Sequence, residues 1–278
     1  MNALRNSAAF FLSHPIARRQ YLRTILRILR WQILSRLHSV ITVHWIGGTK
    51  LTVSRGAKGA TGNLYYGLHE FSPMAFTKHM LRPGDVFVDG GANIGTYTLL
   101  ASAIAGAHTD AFEPDPGTIK HLAANIETNA ISDRVTIHAS ALGDRIKRVS
   151  FTSGLDTMNF VSDRGDQTVQ MTTLDSLSLS PALLKLDLEG GEQSAVAGAE
   201  RTLRDSKLLA IICEDNAPEM AALLAKYGFE RYGYDPFERR LSPEPRALPE
   251  NGIFIRELQR VSARVSTADR TSVFGEPV

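Results

Sequence analysis

The sequence predicts an α/β fold with a doubly wound, seven-stranded, mostly parallel sheet and an N-terminal extension. Three observations carry this reading. Apolar, strand-like runs alternate with helical periodicity along most of the chain. The stretch Val86 to Leu100, VFVDGGANIGTYTLL, reads as a buried strand, a tight glycine turn carrying one acid, and a helix start. A second short strand, in TDAFEPDP (Thr109 to Pro116), ends in Glu113, eighteen residues beyond Gly95.

Taken in order, the chain opens with a basic segment. Residues 1–69 carry ten Lys or Arg and no acid, which leaves 21 basic against 29 acidic residues afterwards, so the two parts stand at +10 and −8 within a net +2. Between residues 16 and 37, Leu22, Ile25, Leu26, Leu29, Ile33 and Leu37 recur at helical spacing beside Arg19, Arg23, Arg27 and Arg30. This is a basic amphipathic helix. Two roles stay open: contact with an anionic membrane surface, or packing of its Leu/Ile face on the catalytic domain or a second subunit, which we expect as the commoner use. Ile41–Ile46 and Lys50–Ser54 then read as a hairpin over about 41–54.

The core strands follow near 86–90, 109–113, 135–139, 183–188, 208–213, 228–233 and 252–256, with a helix over Thr96–Ala105. The last pair of strands is expected to be antiparallel. This gives a basic extension over 1–69, a catalytic domain over 70–259 and a frayed polar tail over 260–278. Composition fits a folded globular chain, at 43% hydrophobic and 22% charged residues. Cys213 has no cysteine partner and sits in an apolar run, as a core thiol of a reducing compartment. The eight histidines show no metal-site spacing, and no metal ligand is assigned. Ala8–Leu12 is too short for a secretory core, and the uncharged window Gly90–Thr109 is too rich in glycine and hydroxyl residues for a span, so a cytoplasmic protein is expected, with membrane association at the inner surface left open.

The glycines of DGGANIG allow backbone angles and close approaches that a Cβ forbids, and the helix start leaves donors free for ligand oxygens. Glu113 lies about where nucleotide-binding α/β folds place a carboxylate for two ribose hydroxyls, roughly 20 residues on. Pro114 and Pro116 keep it at the carboxyl end of its strand.

DGGANIGTYTLL, FEPDP, ALGD (Ala141–Asp144) and LLKLDLEGGE (Leu183–Glu192) together resemble the FkbM family of S-adenosylmethionine-dependent methyltransferases. The resemblance extends to TGNLYYGLHE (Thr61–Glu70), the Asn-Ile-Glu-Thr-Asn run, TLDSL and GAERTL, and covers about residues 14–257. It implies a class I Rossmann-like methyltransferase that O-methylates a hydroxyl of a sugar, glycan or secondary-metabolite scaffold. Asp89, Gly91, Asn93 and Gly95 would then serve the cofactor's amino-acid end, Glu113 its ribose, and Ser140, Ala141 and Leu142 its adenine. Asp187 and Glu189 are the candidate catalytic acids, as general base or as ligands of a divalent cation, and Asp187 also borders the cofactor. Tyr65, His69, Glu70 and Glu192 are candidates for a lid or for substrate contacts.

Two other classes compete with this reading. A nicotinamide-dependent oxidoreductase could use the same turn and acid, although Asn93 is not required by a dinucleotide fingerprint. A non-catalytic basic protein could use residues 1–69 on membrane or nucleic acid. Nucleic acid is disfavoured as a partner, because the basic charge is confined to the N-terminal arm. The remaining partner expectations are a small-molecule or glycan acceptor and a homo-oligomer through the basic helix.

Overall fold

The computed structural model describes residues 11–55, 58–152, 160–162, 165–243 and 251–278. After helices Pro15–Arg19 and Tyr21–Leu37, strands β1 (Val40–His44) and β2 (Lys50–Ser54) form an antiparallel hairpin. Helices Lys58–Tyr66 and Phe71–Met80 lead into the central sheet. That sheet contains β3 (Val86–Gly90), β4 (His108–Phe112), β5 (Val135–His138), β9 (Leu183–Leu186), β10 (Ala210–Cys213), β11 (Glu230–Asp235), β12 (Arg240–Ser242) and β13 (Gly252–Ile255). A separate small sheet holds β6 (Ser140–Leu142), β7 (Lys147–Phe151) and β8 (Gln167–Thr172).

The central order is β12-β11-β13-β10-β9-β3-β4-β5. Neighbours from β5 through β10 pair in parallel, and β13 lies antiparallel to both β10 and β11. The expected sheet is therefore present with one strand more: β12 adds an eighth at the edge, antiparallel to β11. Strand order reverses about β3, which places the loops after β3, β4 and β9 at the topological switch point where α/β sheets take ligands. Burial explains the parallel part. Leu183, Leu184, Leu186 and the whole of β10 are covered on both faces, as crossover helices require.

The helix after β3 is not uniform, since an α-turn at Thr96–Thr98 continues as a π-helix over Leu99–Ile104. Asn125 on helix Pro116–Thr128 and Asn129, the residue just after it, both from the Asn-Ile-Glu-Thr-Asn run, fasten the hairpin. Asn125 accepts from the Thr52 amide at 2.7 Å and donates to the Ile94 carbonyl at 2.9 Å, and Asn129 pairs with both backbone groups of Lys50.

Two expectations are corrected. The tail is not frayed: Leu258–Ser266 is a helix that buries Val261 and Val265, and a short hairpin (Ser272–Val273 with Glu276–Pro277) follows. Lys78 donates to the carbonyls of Asp269 and Val278 at 2.8 and 3.0 Å and pins this segment to the core. The basic helix also does not pack its Leu/Ile face on the catalytic domain, one of the uses expected for it. Thr24 and Trp31 are buried against the body, while Leu22, Leu26, Leu29, Ile33 and Leu37 are exposed. Arg27 fastens the inner side, donating to the Tyr65 carbonyl at 2.7 Å with its guanidinium over the Phe274 ring. Among the described residues no helix is long and apolar enough to cross a membrane.

Candidate active site

The carboxyl ends of β3, β4, β9 and β10 open into a cavity of about 610 Å³. Its wall includes Gly91, Asn93, Tyr97, Glu113, Ser140, Ala141 and Leu142, with His69, Glu70, Lys185, Asp187, Glu189 and Glu214. Most of the expected site residues are thus brought to one space.

The glycine turn is shaped by its neighbour strand. Gly91 has φ +74, and a Cβ there would stand 1.9 Å from the Asp187 carbonyl oxygen. Only glycine lets β3 and β9 run so close at their ends. Asn93 also has a positive φ, +50, and its side-chain oxygen accepts the Ile94 amide at 2.7 Å, the local bond that makes Asn tolerable in this region. Gly95 is corrected from a cofactor residue to a packing residue. It does not line the cavity; it precedes the helix at φ +91, with Leu122 where a Cβ would be.

Glu113 is 7% exposed and anchors the far side of the turn. Its two oxygens accept the amides of Asn93 at 3.0 Å and Asp115 at 2.9 Å. Burial pushes its carboxyl up to about 7, against the pull of those two amides.

Asp89 is fully buried and does not reach the cavity. Its Oδ2 accepts from Thr98 Oγ1 at 2.7 Å, and its Oδ1 faces Lys185 Nζ at 3.5 Å. Lys185 is the residue that sequence reasoning passed over. It is 2% exposed, 3.1 Å from Asp187 Oδ2, and donates to the Gly91 carbonyl at 3.1 Å, with its ammonium over the Tyr97 ring. Burial alone would favour the neutral amine, but Asp187, Asp89 and Glu70 outweigh it and hold the ammonium charged above the ordinary lysine range. A lone lysine in the otherwise apolar strand LLKL was the available signal, because a buried charge needs partners.

At the end of β9 and β10, oxygens of Asp187, Glu189 and Glu214 lie within 4.8 Å of one another. Burial, then the Asp187 carboxylate, pushes Glu189 up, and burial followed by Asp187 and Glu189 pushes Glu214 up to about 8. Glu189 and Glu214, both raised and each beside the other's charge, titrate as a pair. Glu214 was missed because IICED reads as a strand end followed by turn acids; only the topology brings it beside Asp187.

Of the lid candidates, Glu70 accepts the Tyr97 hydroxyl and His69 lines the cavity, its imidazole held towards the neutral form by burial. Tyr65 and Glu192 stand elsewhere. Tyr65 packs against the main core, away from the cavity wall. Glu192 is buried and accepts the Leu188 amide at 2.6 Å, which shapes the acidic loop from behind. Cys213 is buried in the core, and that burial pushes its thiol up to about 12.

The methyltransferase FkbM domain matches residues 89–235, more than half of the chain, and the chain belongs to that family. The match begins at Asp89, so the approach segment Thr61–Glu70 lies outside it. No curated protein matches the chain. Among solved structures, the chain is similar to the methyltransferase FkbM of Methylobacillus flagellatus KT, at 16% identity and a TM-score of 0.44, covering 86% of this chain and 60% of that one. The chain thus spans about three-fifths of that protein's length. It is also similar to TYW2 of P. horikoshii in complex with MeSAdo, at 14% identity and a TM-score of 0.42 over 87% of this chain and 83% of that one. A third is precorrin-6y C5,15-methyltransferase of Geobacter metallireducens GS-15, at 14% identity and a TM-score of 0.38 over 66% and 85%.

Proposed function

We propose that this protein is an S-adenosylmethionine-dependent methyltransferase acting on a hydroxyl of a sugar, glycan or secondary-metabolite scaffold. The observation that carries the reading is one cavity lined both by a buried ribose-type carboxylate, Glu113, and by the Asp187–Glu189–Glu214 carboxylates. Its volume suits a nucleoside-sized ligand together with part of an acceptor.

The residues fit the cofactor. Glu113 is an acceptor that lines the cavity, the turn at Gly91 and Asn93 borders the same space, and Ser140, Ala141 and Leu142 offer a mostly apolar wall. When bound, S-adenosylmethionine supplies a methyl group on a positively charged sulfur. The acidic wall favours that charge. A hydroxyl becomes a competent nucleophile as its proton is drawn off, and the carboxylates of Asp187, Glu189 and Glu214, with Glu214 pushed up to about 8, line the cavity as acceptors for it. Lys185 fixes Asp187 and neutralises part of the cluster, the task a divalent cation would otherwise perform. Activity is therefore expected to persist in excess EDTA.

Calorimetry with S-adenosylmethionine and with NAD tests the reading directly. Binding of S-adenosylmethionine alone is expected; binding of NAD alone would identify a nicotinamide enzyme and overturn it.

A further inference from the structure

The helix Tyr21–Leu37 carries an apolar face that is exposed and that no other described element covers. Leu22, Leu26, Leu29, Ile33 and Leu37 are 73%, 64%, 53%, 60% and 70% exposed. At helical spacing these five fall within an arc of roughly 80° on the side opposite Thr24 and Trp31. A solvent-facing helix side normally carries polar residues, so five large aliphatic side chains in register call for a partner.

The charges around the stripe say which partner. Arg23 and Arg30 flank it on one side and Arg36 on the other; all three are exposed, and none makes an ion pair among the described residues. The first acid in the sequence is Glu70. A second copy seated symmetrically on this stripe would press arginine rows against each other, since a two-fold contact opposes a patch to itself. An anionic bilayer instead supplies both complements: an acyl boundary for the leucines and phosphates for arginines that snorkel outwards.

We propose that this helix docks the protein in plane on an anionic lipid surface, with the Leu22–Leu37 stripe entering the headgroup boundary and Arg23, Arg30 and Arg36 on lipid phosphates. The body is already fastened to the helix's other side through Thr24, Arg27 and Trp31, so docking needs no rearrangement. The −8 balance of the remaining chain is repelled by the same surface and orients the molecule helix-first.

The test is flotation of the full chain with vesicles of phosphatidylcholine alone and of phosphatidylcholine with about 30% phosphatidylglycerol. Flotation with the anionic vesicles only, lost at high salt, is expected. Leu26→Glu with Ile33→Glu should lower partitioning by at least about 100-fold, the value of two buried aliphatic side chains. Arg23→Gln and Arg30→Gln should each lower it about five-fold. Both sets should leave the thermal midpoint unchanged, because the side chains are exposed. Absence of flotation, or equal flotation on neutral vesicles, overturns the proposal. A wild-type dimer in sedimentation that the Leu26→Glu, Ile33→Glu variant converts to monomer, with no flotation, would assign the stripe to a second copy instead.

Discussion

Replacing Lys185 with Met keeps most of the side chain's volume and removes the ammonium between Asp89 and Asp187. Asp89 is fully buried; it would keep the Thr98 hydroxyl on Oδ2 and lose the cation facing Oδ1. The Gly91 carbonyl would lose its lysine donor as well. Asp187 is 27% exposed in its side chain, so water compensates it and its share is small. Breaking a buried ion pair from one side costs about 3–5 kcal/mol, against a typical domain stability of about 5–15 kcal/mol. Urea unfolding of Lys185→Met should therefore show a loss of about 3–5 kcal/mol at pH 7. The loss should shrink at pH 5. Burial already raises the Asp89 carboxyl and Lys185 opposes it, so losing the cation raises it further; the folded variant then binds a proton that the wild type holds less readily, and its deficit grows as pH rises through that window. Adding Asp89→Asn should recover at least half of the loss. A cost below about 1 kcal/mol, or no recovery in the double variant, refutes the claim that Lys185 and Asp89 act as a buried pair.

Three further outcomes are expected. Glu113 accepts hydroxyl protons only as a carboxylate, so S-adenosylmethionine affinity should fall as pH drops through about 7, and Glu113→Gln should weaken binding by about 1.5–3 kcal/mol and flatten that dependence in calorimetry. The turnover of methyl transfer should rise with pH as Glu214 loses its proton, and Glu214→Gln should move that limb to lower pH, because the carboxyl pushed up to about 8 is then gone; an unmoved limb would remove Glu214 from the chemistry. Gly91→Ala sets a Cβ against the Asp187 carbonyl and should cost more than about 3 kcal/mol in thermal unfolding, whereas Gly190→Ala, with nothing within 4 Å and only a positive φ, should cost about 1 kcal/mol.

The strands β3, β9 and β10 were legible because they are short, mostly apolar and closed by glycine or an acid, as in FVDGG and LKLDLEGG. The small sheet of β6, β7 and β8 was not, since KRVSF and QTVQMT alternate polar and apolar residues over spans that also suit loops. β12 is three residues long, below what a pattern can register. The basic helix was readable as a helix but not in its orientation: the leucines dominate the periodicity, while the contact with the body rests on Thr24, Trp31 and Arg27, which no hydrophobic count would select. In the tail, Val261 and Val265 at helical spacing were the missed signal amid polar neighbours. The site acids Glu113, Asp187 and Glu189 could be read from strand ends. Glu214 and Lys185 acquire their meaning only when β10 and β3 flank β9.

The close approach of Gly91 to the Asp187 carbonyl, tied across by Lys185, joins the glycine turn and the acidic wall into one unit. On the function proposed above, a change on either side of this contact is felt by both the cofactor's end of the cavity and the acids. The cavity wall outside that unit, His69 on one side and Phe151, Phe160 and Val161 on another, can change side chains without disturbing the contact between Gly91, Lys185 and Asp187.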